Sequence, residues 1–376
     1  MPERNLGRVE IKKVNRSRIY RLLYEKGPLP KQAISLELQM SLPTVSQNLK
    51  ELGDLGLLED RGALPSEVGR RARAIGCAEE ARLAIGLELT QHHVSMAAVN
   101  LRGRVLDSRR FRLRYAREDA YYQELGRLTA EFAAGLPVPE ERILGVGIAV
   151  QGLVTPDGQS ISYGKILDST GETLEHIGQA IPFPCVLCHD AAAAAFAELW
   201  ISPEVESAFY LSLSNHLGGA YVENHRIFAG MNNRAGRIEH TTVSPQGRPC
   251  YCGQQGCLEA YCAAHLLAGS AGGSLEDFFT LLAEGGREQA ALWEEYLDYL
   301  AIAVNNIRML FDCDVILGGH VGEYLTKGHL EALRRRVSAR SSFETGAGYL
   351  RACRFRSFPI PAGAALQYVE AFLREI

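Results

Sequence analysis

The sequence predicts an α/β protein in two parts, an N-terminal winged helix-turn-helix followed by a larger body of two similar α/β lobes. Three observations predict it. At 376 residues the chain is long for one core and suggests two or three domains. Its charge is uneven: residues 1–76 carry 14 Lys/Arg against 9 Asp/Glu, a net +5, and the remainder carries 26 against 35, a net −9. The hydrophobic pattern also changes near Leu83, from helical spacing to strand meanders that recur. The composition, 47% hydrophobic and 22% charged, is that of an ordinary globular protein and excludes a disordered chain. No apolar run approaches the roughly 20 residues that span a bilayer, and a charged segment follows Met1 where a secretory signal would be apolar. The expectation is a cytoplasmic protein with no membrane partner, whose nine cysteines are thiols or metal ligands rather than disulfides.

The basic module opens with a helix in NRSRIYRLLYEKG, where Ile19, Leu22 and Leu23 share a face and Gly27 ends the run. Pro30 starts a second helix with Ala33, Ile34 and Leu38 inward. Ser41 is placed to cap a third from Leu42, with Pro43 in its first turn and Val45, Leu49 and Leu52 buried. That third helix leaves Thr44, Ser46, Gln47, Asn48 and Lys50 outward or partly outward. Small hydroxyls and amides on a helix sized for the major groove suit base reading. After Gly56, LLED reads as a strand, and SEVGRRAR as a basic loop whose Arg70 and Arg71 meet phosphate. The partner expected for this module is double-stranded DNA, and a helical protein–protein adaptor is the competing reading.

From Leu83, RLAIGLELT, HVSMAAVNLRG and RVLDSRRFRL read as three strands, with a tight turn at Arg102–Gly103. A helix follows at about 118–134. ILGVGIAVQGLV is a buried strand and glycine turn, and FPCVLCHD a strand running into the helix AAAAAFAELW. SAFYLSLS and GGAYVENHRIFAG begin a second set, with helices near 288–311 and 322–338 flanking the strand DVILGG. A repeated unit of this kind builds two lobes with a ligand cleft between them.

The segment PCYCGQQGCLEAYC places Cys250, Cys252 and Cys257 within eight residues, with glycines at 253 and 256. Three thiolates on such a loop plus His240, ten residues upstream, supply the four donors of a closed structural Zn2+ site. Cys262 is expected in the core, and Cys185 and Cys188 as packed thiols in a strand.

RAGRIEH with CYCGQQGCLEAYC, HDAAAAAFAE, LGVGIAVQGLV and VILGGHV together resemble the ROK family of sugar kinases and sugar-responsive repressors, over about residues 83–376. The winged module resembles that of the family's regulators. The resemblance implies an actin-like (sugar-kinase, RNase H-like) body with sugar between the lobes. It implies zinc on His240, Cys250, Cys252 and Cys257, Asp190 at the family's catalytic-base position, and Glu259 and His240 on sugar hydroxyls. The domains expected are 1–76, the winged head; 77–190, a first lobe completed by a C-terminal helix at 359–376; and 191–358, a second lobe with the zinc loop. Homodimers or homotetramers are the expected assembly.

The departures from the family pattern bear on function. Where kinases read D-x-G-x-T, the chain has Glu88 and Thr90; where they read G-T-G-x-G, Ser214 and His216 stand in for glycines. Side chains there crowd the path of a phosphate. The family's Asn-Asp is His189–Asp190, and its sugar-binding Glu is Arg237, which together with His189 suits an anionic sugar derivative. Without usable phosphate loops, Asp190 holds a hydroxyl rather than abstracting its proton. The sequence is thus read as a sugar-responsive DNA-binding regulator, a repressor of carbohydrate genes and not an enzyme, with ligand-binding residues His189, Asp190, Arg237, His240 and Glu259. An ATP-dependent sugar kinase and a ligand-blind DNA-binding protein are the alternatives.

Overall fold

The structure, a computed structural model, describes residues 8–63, 73–343 and 345–376. The head contains α1 (Arg8–Lys26), β1 (Leu29–Pro30), α2 (Lys31–Leu38), α3 (Leu42–Asp54), β2 (Leu58–Ala63) and β3 (Arg73–Cys77). α1 begins ahead of the expected run and ends where Gly27 takes φ +83°. Ser41 Oγ accepts the Thr44 N–H at 3.3 Å and caps α3, with Pro43 in the first turn. Ile19, Leu23, Ile34, Val45, Leu49 and Leu52 bury the helices' inner faces. Residues 73–77, expected to lie in or just after a loop, form a strand because β3 pairs antiparallel with both β2 and β1, making the wing. Arg70 and Arg71 lie outside the described residues.

The first lobe holds β4 (Leu83–Leu89), β5 (His93–Asn100), β6 (Val105–Arg112), α4 (Asp119–Ala134), β7 (Ile143–Val150), β8 (Leu153–Val154), β9 (Ile161–Tyr163), α5 (Leu174–Gly178) and β10 (Cys185–His189). After α6 (Asp190–Ile201) come β11 (Ala208–Ser212), β12 (Gly218–Glu223), β13 (Arg226–Ile227), α7 (Glu259–Cys262), α8 (Ala264–Gly269), α9 (Leu275–Ala283), α10 (Arg287–Phe311), β14 (Asp314–Gly318), α11 (Gly319–Tyr324), α12 (Lys327–Ser338) and β15 (Leu350–Ala352), then α13 (Pro359–Glu375). One sheet runs β10-β7-β4-β5-β6 and the other β15-β14-β11-β12-β13. The two are built alike. A three-strand antiparallel meander is followed by a strand that pairs in parallel with the meander's first strand and another that pairs in parallel with that added strand. The single helix expected near 322–338 is instead α11 and α12. Thr326 breaks it by accepting the His329 N–H at 3.2 Å, while His329 accepts back from the Thr326 N–H in a capping box.

α13 packs on β4, β7 and α6, so the C-terminal helix lies on the first sheet. The approach is close enough to require glycine: a Cβ on Gly363 would stand 1.7 Å from the Ala193 carbonyl oxygen of α6. Ala149, Ala193, Ala194, Ala208, Ala220 and Ala364 form an alanine-rich core joining the lobes. On the other side, Ile19, Tyr20 and Leu23 of the head share one apolar core with Ala84, Val99, Leu101, Leu366, Val369 and Ile376. The head is therefore packed on the first lobe, not tethered to it by an open linker.

Candidate functional site

The strand-to-helix junction β10–α6 delivers His189 and Asp190 into a small pocket of about 80 Å3, also lined by Gln151, His216, Arg237, Glu239, His240 and Tyr251. Gln151, Ile166, Asp190 and His216 also line a cleft of about 410 Å3 between the lobes, so the pocket opens into it. Burial pushes the Asp190 carboxyl up to about 6, against the pull of its hydrogen bond from the Ala191 N–H at 2.7 Å. Asp190 Oδ1 is the nearer of two acceptors for that N–H, the other being His189 Nδ1 at 3.2 Å. His189 Nδ1 can therefore carry the proton while Nε2 accepts from Arg237. Burial and the Arg237 charge hold this imidazole neutral by pushing its pKa well down.

Arg237 spends donors on the Gly219 carbonyl at 2.6 Å, the Ala235 carbonyl at 3.3 Å and His189. It lines the pocket, but with much of its guanidinium fork committed to protein acceptors. Glu239, like Gln151 and Tyr251, is a pocket residue to which the sequence gave no role. It is buried, and its Oε2 has no hydrogen-bond partner, a deficit that a ligand hydroxyl would relieve. It stands two residues beyond Arg237, the position that the family pattern gives to a glutamate.

Glu259 is placed differently from the expectation. It is only 3% exposed and does not line the pocket. Its oxygens accept from the Leu217 N–H at 2.7 Å and bond His216 Nδ1 at 2.7 Å, so both are engaged on the β11–β12 hairpin. Ser214 and His216 carry their side chains on that hairpin, Ser214 Oγ within 3.2 Å of Ser212 Oγ, and both line the interlobe cleft. In the matching β4–β5 hairpin, Thr90 Oγ1 donates to the His93 carbonyl at 2.9 Å.

His240, Cys250, Cys252 and Cys257 bring their ligand atoms within 4.8 Å of one another. Cys252 and Cys257 Sγ are 3.8 Å apart, as are His240 Nδ1 and Cys250 Sγ. A tetrahedron with metal–sulfur bonds of ~2.3 Å has edges of about 3.8 Å, so this donor set could hold a tetrahedral ion. Gly256 explains one glycine of the loop: at φ +74°, a Cβ would meet the Ser244 carbonyl oxygen at 1.8 Å. His240 Nδ1 faces the cluster and Nε2 faces the Tyr251 hydroxyl at 3.3 Å, so this residue joins cluster and pocket.

On α3, Gln47 and Lys50 are exposed and Thr44 and Ser46 half-buried. Asn48 is a correction. It is 3% exposed, and its Nδ2 donates to the Thr44 carbonyl at 2.8 Å, which withdraws it from the reading face. The Thr44 hydroxyl pairs with the Ser41 cap at 2.8 Å.

The ROK family model matches residues 84–346, more than half of the chain, and a model of winged helix-turn-helix DNA-binding domains matches residues 14–59. The chain belongs to the ROK family. The DNA-binding transcriptional dual regulator NagC of Escherichia coli K12 is 27% identical over 262 residues, which are 69% of this chain and 64% of NagC, so the chain spans less than two thirds of that relative. The xylose repressor of Caldicellulosiruptor bescii is 22% identical across 88% of this chain and 89% of its own. ROK kinases match as well: N-acetylmannosamine kinase of Citrobacter koseri is 32% identical over 40% of this chain and 54% of the kinase. Among solved structures, a ROK family transcriptional regulator homologous to the E. coli Mlc protein superposes with a TM-score of 0.75 at 22% identity, covering 97% of both chains. The shared fold thus extends over head and body together. Among the described residues no helix is long and apolar enough to cross a membrane.

Proposed function

We propose that this ROK protein is a cytoplasmic, sugar-responsive repressor of carbohydrate genes that acts as a homodimer or homotetramer. The observation that carries the reading is the continuous core between the winged head and the lobe that presents Asp190. Gln47 and Lys50, with Thr44 and Ser46 beside them, face the major groove, and Arg70 and Arg71 are assigned to phosphates. His189, Asp190, Glu239 and His240 hold the effector; Glu259 acts on it through His216. Zinc on His240, Cys250, Cys252 and Cys257 braces the loop that carries Tyr251 into the pocket, with metal binding offsetting the cost of ordering a glycine-containing loop.

The side chains of Ser214 and His216 in the interlobe cleft favour sensing over ATP turnover. Asp190 keeps the kinase alternative open to test, since burial pushes its carboxyl up to about 6, toward the range of a proton-transfer group. For induction, the sugar must bind the DNA-free arrangement more tightly than the DNA-bound one.

The deciding experiment captures genomic fragments on the purified chain and then challenges the complexes with neutral sugars, sugar phosphates and sugar acids. Selective retention of operators beside carbohydrate genes, with release by one sugar class, is the expected result. No fragment selection ends the DNA reading, indifference to every sugar points to the ligand-blind alternative, and hexose phosphorylation with ATP points to the kinase. Release by anionic sugars alone would mean that Arg237 turns its fork to the ligand.

A further inference from the structure

We propose that His216, Glu259 and His265 form a second divalent-metal site, separate from the cysteine cluster and facing the interlobe cleft. Each residue offers one donor atom, and the three lie within 4.8 Å of one another. They come from three pieces of chain: His216 from the β11–β12 hairpin, Glu259 from the start of α7 and His265 from α8. The inference rests on this geometry alone and does not require the sugar reading.

Two features beyond proximity support it. The imidazole rings of His216 and His265 have centroids 5.5 Å apart. Two imidazoles on one ion, with bonds of ~2.0–2.1 Å and a near-tetrahedral angle, place their centroids about 5 Å apart. His265 is also oriented as a ligand is. Its Nδ1 bonds the Asn215 carbonyl at 2.6 Å, which fixes the tautomer and leaves the Nε2 lone pair available, the usual support for a metal-bound histidine. Glu259 is buried beside the hairpin, with His216 Nδ1 at 2.7 Å. The Leu217 N–H on its other oxygen keeps the carboxylate in place.

Two imidazoles and one carboxylate suit zinc, cobalt or nickel rather than magnesium or calcium. Three protein donors leave at least one coordination position open. His216 lines both the pocket and the cleft, so that position is within reach of an oxygen ligand there. The Tyr251 ring lies between the two clusters, its centroid 5.3 Å from that of His216 and 5.3 Å from that of His240.

The test is a Co2+ titration of the metal-stripped, untagged full chain, followed by visible absorption and by metal analysis after desalting. Two equivalents are expected, one carrying the strong thiolate-to-cobalt band and one adding only weak visible absorption. His216→Ala and His265→Ala should each lose the weak equivalent and keep the thiolate band. His265 is exposed, so its variant should remain folded. A single equivalent that carries the thiolate band in the wild-type chain, or a weak equivalent retained in both variants, overturns the proposal. A weak equivalent without any thiolate band would leave it standing and remove the cysteine-site reading instead.

Discussion

Glu88 occupies the strand end where a kinase of this family would carry an aspartate, and it is almost fully buried. Burial, with repulsion from Asp190 second, pushes its carboxyl up to about 7. An acid whose pKa rises on folding leaves stability intact while protonated and costs stability as pH climbs from its unfolded value near 4.5 to about 7. Glu88→Gln should therefore gain on the wild type across that window, by up to ~3 kcal/mol at neutral pH. Urea midpoints measured from pH 4 to 8 check this, and two parallel curves would show that Glu88 is not buried as a charge. Residue types at such positions were legible in the sequence; their partners were not. Nothing in the order of residues says that Glu259 turns to His216, or that Asn48 folds back on Thr44, because both outcomes depend on which acceptor lies nearest in space.

The metal loop and the recognition helix are the elements whose behaviour is most open to test. The loop from Thr242 to Cys257 is joined only by isolated bridges, Thr242 to Cys257 and Pro249 to Gln255. Removing zinc or introducing Cys257→Ser should expose its amides to hydrogen exchange while β4, β7 and α13 stay protected; uniform loss of protection would mean the ion supports the whole fold. On α3, Lys50→Ala should lower operator affinity for every sequence and reduce the salt slope by about one. Gln47→Ala should relax base preference, and Asn48→Ala should leave that preference unchanged. Fluorescence anisotropy on an operator and its point variants separates the three. Helix α3 was legible from its period and its Ser41 cap, and α10 from the long helical run near 288–311. The split between α11 and α12 was not, since a threonine inside an apparent helix shows its capping role only when its neighbour at 329 returns the bond.

For the molecule as a whole, α6 runs from the pocket to the head. Its first residue is Asp190, and near its end Trp200 Nε1 donates to the Arg102 carbonyl at 2.9 Å. Arg102 lies over the Tyr24 ring at 4.1 Å and donates to the Tyr24 carbonyl, and Tyr24 hydroxyl donates to the Leu101 carbonyl at 2.8 Å. A shift of α6 on effector binding would thus reach α1 of the head through packed groups. Trp200→Ala and Arg102→Ala are expected to leave effector affinity near wild type and to shrink the effector-driven change in operator affinity, which typically amounts to about 1–3 kcal/mol. Operator titrations with and without effector measure it, and undiminished coupling in both variants rules out this route. Gly363→Ala should destabilise by about 1–3 kcal/mol or more through the clash with Ala193, seen as a lower denaturation midpoint.

The sequence by itself determined the class of fold, the basic winged head, the recurrence of the strand meander and the four donors of the cysteine cluster. These rest on periodicity, capping and spacing, which are properties of neighbours along the chain. Tertiary structure alone decided that the head shares its core with the first lobe, that Glu239 and not Glu259 faces the pocket, and that His216, Glu259 and His265 meet. Those outcomes depend on contacts between segments far apart in sequence, where packing and burial, and not local order, select the partner.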